Sequence, residues 1–147
     1  MKLTEELRQE HQGLRAKLAL LEALLPGQEG ASAALREIAF TLNQELSGHA
    51  QREEVLCAEL PPIFPQTARV DLEQLHAAHH DQQQALERLL GLLWRDEPYP
   101  VDEVTRCVPQ MIAALRAQMA LEETRVFPAL EERLSPQPPV PAPELVW

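Results

Sequence analysis

The side chains best suited to chemistry in this 147-residue chain are its five histidines and the acidic residues near them. His49 and Glu53 stand four residues apart, and so do Gln118 and Glu122. A spacing of four puts two side chains on one face of a helix. Imidazole and carboxylate groups gathered on such a face suit iron, zinc or manganese. The pattern therefore indicates a metal site in a helical protein.

Four long segments must position these residues. Clusters of proline and glycine separate stretches rich in Leu, Ala, Glu, Gln and Arg, which are strong helix formers. Apolar residues recur within each stretch at intervals of three and four, as Leu14, Leu18 and Leu21 do in the first. These stretches predict helices at residues 3–25, 31–60, 68–95 and 102–134.

One apolar stripe per helix and short connections predict an all-α fold. The expected architecture is an up-down-up-down antiparallel four-helix bundle over residues 1–134. The segment 135–147 is rich in proline and predicts an extended tail outside the core.

Polar residues interrupt the apolar stripes at one level of the predicted bundle. His11 interrupts the first stripe, His49 the second and Gln118 the fourth. At about 1.5 Å per residue, counting from the helix ends puts His11 beside His49 and His80 beside Gln118. Both pairs are separated by 38 residues, which indicates a duplicated helix pair. A buried layer of carboxylates and imidazoles needs partners for its polar atoms, and a bound cation supplies them.

The sequence resembles the hemerythrin-like, or HHE cation-binding, proteins over about residues 3–134. The matching pieces are Glu10-His11, His49-x-x-x-Glu53 with Glu54, His76-x-x-x-His80, Gln118-Met-Ala-Leu-Glu122-Glu123 and the run from Val126 to Leu130. The resemblance implies a non-haem centre of one or two iron ions, with zinc or manganese as alternatives. It also implies nitrogen ligands at His11, His49, His76 and His80, with Glu53 and Glu122 bridging the metals.

The match departs from the family pattern in one ligand position and is ambiguous in two others. The family has histidine where this chain has Gln118, and an amide oxygen is a poorer iron ligand. The site could then be mononuclear, asymmetric, weakly loaded or vestigial, and Gln118 could equally serve in packing. On the third helix, the four-residue spacing from His76 and the 38-residue separation from Gln118 favour His80. On a helical wheel, the apolar residues instead put His79 nearest the core. Glu123 competes with Glu122, because some family members place the last carboxylate five residues after the histidine.

The function implied by the resemblance is binding of O2 or NO, iron handling or redox sensing. We expect a binding or sensing module rather than a turnover enzyme, with no catalytic residues assigned. The alternative is a metal-free bundle that acts as an interaction or regulatory module through its acidic surface and its proline-rich tail. A diiron oxidase or peroxidase is a third reading, and the missing histidine at Gln118 counts against it.

Composition excludes several other classes. Thirteen Lys and Arg against 23 Asp and Glu give a net charge of −10, which is unlike a nucleic-acid-binding protein. No apolar run approaches the roughly 20 residues that span a bilayer, so no membrane partner is expected. The segment Met1–Glu10 lacks the apolar core of a signal peptide, which predicts a cytoplasmic protein. Two cysteines do not form a disulfide framework. The sequence identifies no protein partner.

Overall fold

The computed structural model describes the backbone of residues 2–25, 31–58, 66–95 and 100–134, and the side chains of 4–25, 33–58, 73–94 and 100–132. Within these ranges the regular secondary structure is entirely helical. The helices are α1 (Lys2–Ala23), α2 (Ala31–Ala58), α3 (Gln66–Arg95), α4 (Val101–Leu121), a π-helical turn (Glu122–Val126) and α5 (Phe127–Leu134).

The four predicted helices are confirmed within the described ranges, with shifts of a few residues at their ends. The fourth corresponds to α4, the π-helical turn and α5, which follow one another without a break. Pro109 lies inside α4, on the exposed side of the helix. The helix begins at Val101, well before this proline. The antiparallel order of the helices and the boundary at residue 134 stay predictions. The proline-rich tail lies outside the described residues.

The long helices pack in a ring that is consistent with a four-helix bundle. Helix α1 contacts α2 and α4, and α3 contacts the same two helices. Their facing residues form two separate apolar clusters. The larger cluster is drawn from all four long helices and includes Leu14, Leu46, Leu86 and Leu115. The smaller cluster contains Leu7, Leu56, Cys57, Leu75, Val126, Phe127 and Leu130.

A π-helical turn lies within the last helix, at Glu122–Val126. The backbone N–H of Phe127 donates to the carbonyl of Glu122, five residues earlier. The hydroxyl of Thr124 lies 2.9 Å from the carbonyl oxygen of Ala120. Val126, at the end of the turn, and Phe127, directly after it, are both buried. π-helical turns of this kind occur frequently at functional sites.

No helix in the described part of the chain is both long enough and apolar enough to cross a membrane.

Candidate metal centre

Four buried side chains of the type that ligates metals converge between the two apolar clusters. They are His11 on α1, His49 and Glu53 on α2, and Glu122 at the start of the π-helical turn. Each offers one nitrogen or oxygen atom, and these atoms all lie within 4.8 Å of one another. Along each helix these residues stand between leucines of the larger cluster and apolar residues of the smaller one. The two apolar clusters therefore cover the group at both of its ends along the helices.

The donor atoms of these four residues point toward one another. Nε2 of His11 lies 2.9 Å from Nε2 of His49 and 2.9 Å from Oε1 of Glu122. Nε2 of His49 lies 3.0 Å from Oε2 of Glu53. Two imidazole nitrogens and two carboxylates that face a common point form a donor set suited to a first-row transition metal.

The buried polar atoms of this group are not all satisfied by one another. Neither carboxylate oxygen of Glu53 has a hydrogen bond, although Nε2 of His49 lies 3.0 Å from Oε2. Nδ1 of His11 also lacks one. A fully buried carboxylate without partners is costly. A cation between the four side chains would give Glu53 the partner that it lacks, so these residues fit a metal ion.

Two of the buried histidines are held from outside by a carboxylate. Nδ1 of His49 donates to Oε1 of Glu10 at 3.2 Å. Nδ1 of His79 donates to Oε1 of Glu54 at 3.2 Å. In the neutral ring, a proton on Nδ1 leaves the lone pair on Nε2, the atom that faces the centre. This carboxylate–histidine arrangement is characteristic of metal ligands, because it fixes both the tautomer and the ring orientation.

The third buried histidine has a looser outer partner. Nδ1 of His11 lies 3.5 Å from Oε2 of Glu123, which is longer than a hydrogen bond. Glu123 is itself held by Arg15, whose Nη2 lies 2.7 Å from the same oxygen. The hydrogen bond from Arg15 keeps the pKa of Glu123 below its usual value. Glu123 is thus an outer partner of His11, whereas Glu122 faces the centre.

Two of the four side chains, Glu53 and His49, hold protons at neutral pH that a metal ion would displace. Burial, together with the charge of Glu122, raises the pKa of Glu53 to about 8. Burial lowers the pKa of His49, but Glu122 and Glu53 outweigh it and raise that pKa to about 10. Burial also works against ionised Glu122, yet hydrogen bonds from His11, His49 and other neighbours hold its pKa well below the usual range. At neutral pH one carboxylate is therefore ionised and one is protonated.

A weaker half of the centre lies on the side of α3 and α4. Nε2 of His79 lies 3.2 Å from Oε2 of Glu122. The amide nitrogen of Gln118 donates to the same oxygen at 3.2 Å. On this side one imidazole and one amide contact Glu122, whereas on the other side the two imidazoles of His11 and His49 lie beside the carboxylates. The donor set is therefore asymmetric.

The structure corrects the expected positions of two histidines. His80 was expected in the buried layer but is exposed and lies 3.1 Å from the Gln84 amide nitrogen. His76 was expected as a nitrogen ligand, but its side chain is 74% exposed and hydrogen-bonded to Glu54 at 2.8 Å. Of the three histidines on α3, only His79 lies on the buried face. His80 is the next residue, and one step along a helix turns the side chain by about 100°. The repeated 38-residue separation did not fix the rotation of α3.

Two residues of the centre were missed as partners by the sequence reasoning. Glu10 and Glu54 were noted as parts of the family motifs, beside His11 and Glu53, with no partner assigned to either. A signal for both was present, because an acidic residue adjoins a metal-ligand candidate in Glu10-His11, Glu53-Glu54 and Glu122-Glu123. In each pair one member faces the centre and the other reaches a histidine of a different helix.

Comparison with known proteins agrees with this geometry. A family model described as the hemerythrin HHE cation-binding domain matches residues 2–130. No curated protein and no solved structure matches the chain. The family match covers most of the sequence, including every residue of the buried group. The chain therefore belongs to the hemerythrin HHE cation-binding domain family.

Proposed function

We propose that this protein is a non-haem iron-binding module whose main ion is held by His11, His49, Glu53 and Glu122. The observation that carries the proposal is the buried Glu53 carboxylate, whose two oxygens have no hydrogen-bond partner. Hydrogen bonds among the other members account for Glu122 without a metal, but they do not account for Glu53. The metal-free alternative is weaker for that reason.

The asymmetry of the donors supports one strongly bound ion rather than two equal ones. Two imidazoles and two carboxylates serve the first position. A second position would share Glu53 and Glu122 and add only His79 and the amide of Gln118. Because an amide is a poorer iron ligand than imidazole, we expect the second position to be weakly occupied or empty.

A role in gas binding favours iron over zinc at a site with four protein ligands, because zinc would have no position left for another ligand. Four donors complete the tetrahedral shell of a structural zinc ion. Iron supplies redox chemistry and accepts more than four ligands, so it would keep a position for a small diatomic molecule. The four side chains are almost fully buried and lie between two apolar clusters, which suits O2 or NO better than a bulky substrate. We therefore propose binding or sensing of a diatomic gas rather than turnover.

Nitric oxide provides the experimental test of this proposal. Anaerobic protein loaded with ferrous iron should take up NO stoichiometrically with the bound iron, and its electron paramagnetic resonance spectrum should change accordingly. The matched control is the His49→Ala variant treated in the same way, which loses one imidazole of the main position. If the iron-loaded protein shows no response to NO, the proposed gas-binding role is wrong even though iron binds.

Iron affinity should rise steeply with pH. Binding needs ionised Glu53, whose pKa is about 8, and neutral His49, whose pKa is about 10. Between pH 6 and 8 the metal must displace these protons, so affinity should increase by roughly tenfold per pH unit for each proton released. Equilibrium competition with a chelator of known pH dependence measures this slope. A flat profile would mean that these two groups do not hold the metal.

Replacing Glu10 with glutamine should weaken iron binding without unfolding the protein. The carboxylate that orders Nδ1 of His49 would become an amide, which can present an N–H to the ring and favour the wrong tautomer. Loss of such an outer partner costs about 10- to 100-fold in metal affinity. The matched control is Glu6→Gln, because Glu6 is exposed on the same helix one turn earlier. Equal affinity in the two variants would contradict the role of Glu10.

A further inference from the structure

The three outer carboxylates differ in the group that lies outside each of them. Glu10 is paired with Arg52, which donates from both Nε and Nη2. Glu123 is paired with Arg15. Glu54 instead accepts a hydrogen bond from Nδ1 of His76. Among the residues that the structure describes, no guanidinium is paired with Glu54.

The third flank is the side of the centre at Glu54. Here side chains with metal-ligating atoms form a continuous series of contacts from solvent to the centre. Nδ1 of His76 lies 2.8 Å from Oε1 of Glu54, and Nδ1 of His79 lies 3.2 Å from that same oxygen. Nε2 of His79 then lies 3.2 Å from Oε2 of Glu122. The exposed fraction of these side chains falls in the same order, from 74% at His76 to 35% at Glu54, 3% at His79 and 2% at Glu122.

We propose that metal ions enter and leave the centre along His76, Glu54 and His79. A divalent cation that approaches beside Glu10 or Glu123 meets the fixed positive charge of Arg52 or Arg15, which repels it. On the third flank it meets an imidazole, which as the neutral base is itself a metal ligand. Imidazole and carboxylate groups follow one another from solvent to Glu122, so an ion that moves along them passes one potential ligand after another. This inference rests on the proposed iron-binding function.

The test compares two exposed histidines on α3, His76 and His80. Metal-free wild type, His76→Gln and His80→Gln are mixed anaerobically with ferrous iron for set times. Excess chelator then removes free iron, and the protein-bound iron is measured after rapid desalting. Release is followed separately, by adding chelator to fully loaded protein. His80 is the matched control because it is exposed on the same helix but bonded only to Gln84 among the described contacts.

A residue that lies on the route but not in the final site should change the rates of iron loading and iron release by the same factor. It should leave the affinity for iron unchanged. We expect His76→Gln to slow loading by about tenfold, within the range by which local electrostatics and ligands alter association rates. Release should slow by the same factor, with the final iron content and the affinity equal to those of wild type. His80→Gln should match wild type in every measurement.

Three results would overturn the route. Loading of His76→Gln at the wild-type rate would show that ions enter elsewhere. A loss of affinity with unchanged loading would make His76 a positioning residue rather than a part of the route. Failure of wild type itself to take up iron would overturn the proposed function, and the route with it. Final iron content in wild type separates this last case from the other two.

Discussion

Replacing Glu53 with glutamine should abolish tight iron binding and, in the metal-free protein, increase the free energy of unfolding. The carboxylate is fully buried, and neither oxygen has a hydrogen-bond partner. An amide cannot supply the anionic oxygen that a cation needs, so we expect affinity to fall by at least about 100-fold. Weaker iron binding together with greater stability of the metal-free protein is the result expected when a buried carboxylate serves as a metal ligand.

The gain in stability follows from the pKa of Glu53. Folding raises it from the ordinary value of 4.5 to about 8, so the folded state holds this proton more tightly than the unfolded chain does. The resulting stability is fully present below pH 4.5 and is lost as pH rises toward 8. The neutral amide carries no such penalty. At pH 7 metal-free Glu53→Gln should therefore be more stable than wild type.

Chemical denaturation of the metal-free proteins at pH 5 and pH 7, with iron titration alongside, measures both effects. The matched control is Glu37→Gln, an exposed position on the same helix, which should change neither stability nor iron affinity appreciably. The advantage of Glu53→Gln should be larger at pH 7 than at pH 5. Wild-type iron affinity in the Glu53→Gln variant would show that the ion does not use this carboxylate.

Replacing Gln118 with histidine should increase the iron content from about one to about two ions per chain, the number that a carboxylate-bridged bundle site can hold. The amide of Gln118 already lies 3.2 Å from Oε2 of Glu122, beside Nε2 of His79. An imidazole at this position would give the weaker half two nitrogen donors, as the stronger half has in His11 and His49. The shared carboxylates could then bridge two ions.

The matched control for this substitution is Gln118→Leu, which removes the amide but adds no ligand. It should keep the iron content of wild type, because the main position does not use Gln118. Elemental analysis of the three proteins, with absorption in the near ultraviolet where oxo-bridged diiron sites absorb, reports occupancy and bridging. An unchanged iron content in Gln118→His would mean that the second position is limited by something other than this residue.

The sequence allowed the helices and most of the centre to be predicted, because both follow from helical periodicity. His11, His49, Glu53 and Glu122 interrupt apolar rows, and those rows had to face one another in a bundle. His79 was harder, since the apolar wheel and the internal spacing disagreed by one residue. The structure buries the residue favoured by the wheel, because leucine burial on α3 fixes the rotation of that helix.

The outer partners could not be predicted in the same way. Glu10 and Glu54 lie beside the apolar stripes, where helical periodicity assigns them to the surface. Their roles depend on distances between side chains of different helices, which no spacing within one helix reveals. The π-helical turn is a further case, because the apolar spacing of the sequence gives no signal for its wider hydrogen-bonding pattern. This turn lies where Glu122 faces the centre and Glu123 reaches toward His11.

The central claim is that the buried histidines and carboxylates hold iron, and metal content measures it most directly. Tag-free wild type and Glu53→Gln should be reconstituted anaerobically with ferrous iron, desalted and measured by elemental analysis together with protein concentration. We predict about one tightly held iron per wild-type chain and almost none in the variant, as expected when an essential ligand is lost. Equal iron in the two proteins, or none in reconstituted wild type, would contradict the claim.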